Sequence, residues 1–100
     1  MSRLTDQQIA EALATLPGWE RSGDALRKTF AFGSFPDGVA FLVRIGFEAE
    51  AADHHPDVTL QYRRVTLAYW THSEGGITVK DLEGARMADR VAAAWCAGAA

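Results

Sequence analysis

Blocks of basic residues, cysteine pairs, glycine-rich phosphate loops and long apolar runs are all missing from this 100-residue chain. Ten Lys and Arg against thirteen Asp and Glu give a net charge of -3, with neither sign gathered into a run. The long-range field that concentrates nucleic acid or anionic membrane is therefore absent, and direct nucleic-acid binding is disfavoured. No segment approaches about eighteen consecutive apolar residues, and the opening MSRLTDQQIAEALATL has no apolar signal core, so no membrane association and a cytoplasmic location are expected. The single cysteine, Cys96, has no internal partner. That fits a reducing compartment, and Cys96 reads as a small hydrophobe in a helix. With no nucleophile elbow and no metal-type cysteine spacing, the commonest enzyme signals are gone. The length predicts one domain over residues 1–100, near the size at which association often adds stability.

What is present is a sequence of capped helices and hairpins. Thr5 with Gln8 has the form of a capping box, and a first helix is expected from about Thr5 to Leu16, with Ile9, Leu13 and Leu16 buried and Pro17-Gly18 ending it. Two short strands should flank Ser22-Gly23-Asp24, with Leu26, Lys28, Phe30 and Phe32 on one side of the second. Ser34 offers an N-cap and Pro36 suits a first turn, starting a helix that is expected to reach about His54. That helix is apolar almost all round, which predicts enclosure by a sheet and by something further, such as a second subunit. Val58, Leu60 and Tyr62 then alternate along a strand, Arg63-Arg64 is the expected turn, and Val65, Leu67 and Tyr69 alternate along the return. Glu74-Gly75-Gly76 reads as a loop, and Thr78 with Asp81 caps a last helix carrying Leu82, Ala85, Ala88, Val91 and Trp95 on one face. The order α-β-β-α-β-β-α predicts an α+β fold: a four-stranded antiparallel sheet with three helices on one face.

Two of the chain's three histidines, His54 and His55, are adjacent and followed by Pro56. Proline disfavours an α conformation at His55, so the two rings should diverge at the helix end. Glu50 stands four residues before His54, where it is expected to hold that ring and fix its tautomer. His72 closes the next hairpin, which folds back to where it began, so all three rings are expected to share one end of the sheet. A surface or capping role is the ordinary reading of any one of them. Glu50 alone is a solvated helix residue, Asp57 a turn residue, Asp81 a helix cap, and Trp70 a core or subunit contact rather than a substrate platform. Zinc is disfavoured because adjacent histidines seldom turn toward one ion and no i, i+4 pair exists. Ser73 beside His72 lacks the context of a serine nucleophile. Clustered imidazoles supply an acid and a base near neutrality, so proton transfer without metal or covalent intermediate is what remains.

The run EAADHHPD from Glu50, then Tyr62, Val65, THSEGG from Thr71 and TVKD ending at Asp81 resembles the pterin-4a-carbinolamine dehydratase family. LPGW, GDALRKTF and the Phe-x-Phe near the N-terminus extend the similarity to about residues 16–90. The resemblance implies an α+β fold and the removal of water from a 4a-hydroxytetrahydropterin left by an aromatic amino acid hydroxylase. It implies that the active-site histidines are His54, His55 and His72, with Asp81 as supporting carboxylate. His54 and His72 would handle the hydroxyl and N5 protons and His55 would orient the pterin, in a pterin-sized cavity lined by all three. Glu50, Pro56, Asp57 and Thr71 would support binding. The pterin is substrate, so no tightly held cofactor and no metal are implied. A homodimer or homotetramer is the implied assembly, and a non-catalytic dimerisation or regulatory module is the alternative use of the same fold.

Overall fold

Each helix begins where a short polar side chain satisfies an otherwise orphaned backbone N–H. In the computed structural model, which describes residues 2–95 and 98–99, Thr5 and Gln8 form a reciprocal capping box on α1 (Asp6–Leu13). Thr78 and Asp81 do the same for α3 (Val79–Ala92), and Ser34 accepts from the N–H of Asp37 to start α2 (Phe35–Ala52). Cys96 lies outside the described residues. The first helix stops at Leu13, short of the expected Leu16, yet Leu16 is still buried beyond it. The third gives way at Ala93–Trp95 to a 3₁₀ turn, from which Trp95 meets Phe32 and Phe41 edge-on.

Strands β1 (Glu20–Ser22) and β2 (Ala25–Ala31) form the first hairpin around Gly23, whose φ of 59° a residue with a side chain adopts only at a cost. Strands β3 (Asp57–Gln61) and β4 (Arg64–Tyr69) form the second. Its turn is Tyr62-Arg63, one residue earlier than expected, because Tyr62 itself takes a left-handed φ of 51°. A positive φ at the first turn residue is what a tight turn needs to match the twist of its strands. The antiparallel order is β1-β2-β4-β3, and a two-residue β5 (Gly98–Ala99) pairs with the end of β2.

Alternation sends Leu26, Phe30, Val65, Leu67 and Tyr69 to one face, where they meet Ile9 of α1, Phe41 and Ile45 of α2, and Leu82, Ala85 and Ala88 of α3. Lys28 also points inward. There it donates to Asp89 at 2.9 Å and to the Pro17 carbonyl at 3.1 Å, while Trp19 Nε1 donates to the same Asp89 carboxylate. The other side of α2 is not covered: Val43 is 54% and Phe47 71% exposed.

Candidate active site

The adjacent histidines are aimed apart by the way α2 ends. Asp53 takes a left-handed conformation (φ 52°, ψ 41°), and the N–H groups of Asp53 and His54 turn back to the carbonyls of Glu50 and Ala49. This is a Schellman motif with aspartate where glycine is commonest. The helix therefore stops at Ala52 rather than near His54, and His54 no longer follows the helical pitch that would set it above Glu50. Glu50 instead meets His55, with Oε1 2.8 Å from Nε2, and both side chains are largely exposed. The expected Glu50–His54 contact is thus replaced by Glu50–His55.

His54 turns inward to Asp81. Its Nε2 lies 2.6 Å from Asp81 Oδ1, its side chain is 13% exposed, and Asp81 is fully buried. The other carboxylate oxygen, Oδ2, accepts from the Thr71 hydroxyl at 2.9 Å and the Thr78 N–H at 2.8 Å. Thr71 Oγ1 also lies 2.8 Å from Thr78 Oγ1; its own proton goes to Asp81, so the Thr78 hydroxyl donates to it. As a carboxylate, Asp81 has no proton to give and can only accept, at either oxygen. The proton it shares with His54 belongs to Nε2, and a neutral His54 keeps its lone pair on Nδ1. Asp81 caps a helix and fixes an imidazole tautomer at once, as buried carboxylates do for catalytic histidines elsewhere.

His72 belongs to a different environment. It opens a 3₁₀ turn, His72–Glu74, closed by the Thr71–Gly76 backbone pair and by Gly75 at φ 67°. The residue is exposed, and its ring packs on Trp70 with centroids 3.9 Å apart. Trp70 Nε1 in turn reaches Asp57 Oδ2 at 3.3 Å. Asp57 pairs with Ala68 across the β3–β4 ladder, so Asp57 and Trp70 share the face of the sheet away from the helices. Pro56 is half-buried between the two histidines and this strand.

His54 and His72 are therefore held at one end of the β3–β4 hairpin by two clasps, His54–Asp81–Thr71 on the helix side and Asp57–Trp70–His72 on the other, with His55 next to the first and tied to Glu50. A groove of about 410 Å³ between α2 and α3 is walled by Glu48, Ala51, His54, Lys80, Gly84 and Met87, and neither His55 nor His72 contributes to it. Among the described residues no group of three or more His, Cys, Asp or Glu is arranged to hold a metal ion. Likewise, no helix among them is long and apolar enough to cross a membrane.

Sequence reasoning missed three members of this site. Tyr69 stacks on His54, with centroids 6.0 Å apart and planes at 22°, and its phenol is pushed up by burial and then by the charge of Asp81. Thr78 supplies two of the bonds behind Asp81. Gly84 admits the Tyr69 ring, since a Cβ there would fall 2.6 Å from Tyr69 Cε1. The i, i+2 alternation placed Tyr69 inward, but its neighbour His54 comes from a segment that no local pattern links to it.

The family model described as Pterin 4 alpha carbinolamine dehydratase matches residues 2–91. The chain belongs to this family. Among its dehydratase-family relatives, a protein of Roseiflexus sp. (strain RS-1) named "Putative pterin-4-alpha-carbinolamine dehydratase" is 48% identical over 90 residues, covering 90% of this chain and 97% of the relative. One of the same name from Mycobacteroides abscessus is 53% identical over 89 residues, covering 89% and 95%. The crystal structure of a transcriptional coactivator/pterin dehydratase from Brucella melitensis superposes with a TM-score of 0.87 at 35% identity, covering 91% of this chain and 99% of that one.

Proposed function

We propose that this chain dehydrates a 4a-hydroxytetrahydropterin to the quinonoid dihydropterin by histidine acid/base catalysis, as a hydro-lyase of tetrahydropterin recycling. The observation that carries the reading is the His54–Asp81 pair: a buried carboxylate whose other oxygen is already occupied leaves His54 one free lone pair, on Nδ1. The reaction needs one group to protonate the departing C4a hydroxyl and another to take the N5 proton as the C=N bond forms. His54, fixed and largely enclosed, suits one of these transfers, and His72, exposed at the far side of the strand end, suits the other. His55, tethered by Glu50, orients the ring system, with Pro56, Asp57 and Thr71 holding the segments that carry these groups. The pterin is itself the substrate, and no further cofactor or metal takes part.

A cytoplasmic setting alongside an aromatic amino acid hydroxylase would supply the carbinolamine. Assembly as a homodimer or homotetramer would cover the exposed Val43 and Phe47. A second reading, a non-catalytic dimerisation or regulatory module, is favoured by the Brucella neighbour, whose description joins coactivator to dehydratase. The deciding experiment follows decay of chemically generated carbinolamine with wild-type protein, His54→Ala and His72→Ala. Each substitution should lower the rate by about 10²-fold or more. Undiminished turnover in His72→Ala would overturn the paired-histidine mechanism, and a wild-type protein without turnover that forms a stable complex with another protein would favour the module.

A further inference from the structure

Tyr69 has no part in the proton transfers described above, yet the structure around it is built to hold it. The residue is 1% exposed, and its hydroxyl has no hydrogen-bond partner among the described residues. A buried hydroxyl without a partner destabilises a core, so packing alone would be served as well by an apolar ring. The ring is confined on three sides. Trp19 stands 6.1 Å away at 47°, and the imidazole of His54 is stacked against it. On the third side α3 carries Gly84, where any Cβ would collide with Cε1, Cδ1 and Cζ of the tyrosine.

Asp81 grips His54 at a single atom, Nε2. One in-line hydrogen bond sets the tautomer but leaves the imidazole free to tilt and to turn about the bond direction. A near-parallel ring beside it, its centroid 6.0 Å away, restricts that freedom. We propose that Tyr69 is a positioning residue for His54: its ring, seated in the gap at Gly84, fixes the imidazole plane and so gives Nδ1 one direction. The proposal rests on His54 being the proton-transfer group of the preceding section. It assigns the effect to the ring and none to the hydroxyl.

The test compares Tyr69→Phe, which keeps the ring, with Tyr69→Leu, which loses it. Two readouts are needed, the low-field proton resonance of the His54 Nε2–H held by Asp81, recorded on the protein alone, and the steady-state constants for carbinolamine dehydration. Tyr69→Phe should keep the resonance and hold kcat within about twofold. Tyr69→Leu should lose the resonance to exchange with water while amide signals across the sheet persist, with kcat lower by roughly 10-fold to 10²-fold and KM little changed. If the leucine variant does not fold, Tyr69→Met fills similar volume without a flat face and carries the same expectation. A leucine or methionine variant that keeps both resonance and rate overturns the proposal, as does a phenylalanine variant that loses both. Should no form turn over the pterin while the resonance follows the expected pattern, the dehydratase reading fails and the positioning role stands.

Discussion

His54 and His72 flank one β-hairpin, the first just before it and the second just after it, yet their surroundings are opposite. His54 lies 2.6 Å from a fully buried carboxylate and beside a buried phenol ring in a near-parallel plane. His72 sits in the open on a short 3₁₀ turn, against an indole tethered to Asp57. The first arrangement fixes a tautomer and a direction, and the second leaves a ring able to exchange protons with solvent. The dehydration proposed above gives a proton in one place and takes one in another, and would gain from having one of each kind.

The contrast is broken most severely by Asp81→Asn. It puts an amide where both oxygens now accept: with its oxygen kept toward Thr71 and Thr78, its NH2 faces His54 Nε2, forces that nitrogen to accept and moves the ring proton to Nδ1, and the charge-assisted bonds to a buried carboxylate are lost. We expect a loss of about 3 kcal/mol in unfolding free energy by denaturant titration, against less than about 0.5 kcal/mol for Glu50→Gln, which alters only the exposed tether of His55. Comparable losses in the two would erase the distinction between the two histidine environments.

A milder effect is expected in alkali. Burial and then Asp81 raise the Tyr69 phenol above its ordinary 10.0, so between that value and its folded one the unfolded chain gives up this proton and the native chain keeps it. The unfolded state then binds fewer protons, and stability that is whole below pH 10 is lost as pH rises through the folded pKa. Tyr69→Phe should flatten that decline by about 1 kcal/mol per pH unit, measured as the difference between denaturation curves of the two proteins.

The smallest effect belongs to the joint before the histidines. Asp53→Gly relieves a left-handed φ at a side-chain-bearing residue and should raise stability by no more than about 1 kcal/mol in thermal melts, leaving the His54–Asp81 resonance in place.

That joint also shows what can be read from residues in order and what cannot. Capping boxes at Thr5 and Thr78 were legible because donor and acceptor lie three residues apart, and the inward sets of β2 and β4 were legible because alternation is local. The end of α2 was not, since aspartate is compatible with helix, turn or left-handed cap, and the choice moved Glu50 from His54 to His55. Tyr62 displaced the second turn for the same reason, by taking a conformation its residue type seldom adopts. The His54–Asp81 bond spans 27 residues and joins two elements that meet only through the packing of α2 and α3 on the sheet. The family resemblance supplied Asp81 as a supporting carboxylate, whereas its partner, its buried donors and the phenol beside it required coordinates.

Tyr69 and Trp70 are neighbours in the chain and serve opposite sides of the sheet. A frame shift of one residue in the pairing of β4 with β2 would trade them, sending the indole toward the helices and the phenol toward water. Each histidine would then meet the wrong aromatic, with no active-site residue altered. The Leu26–Tyr69 pairing at the end of that ladder therefore bears on the proposed chemistry as much as on the sheet.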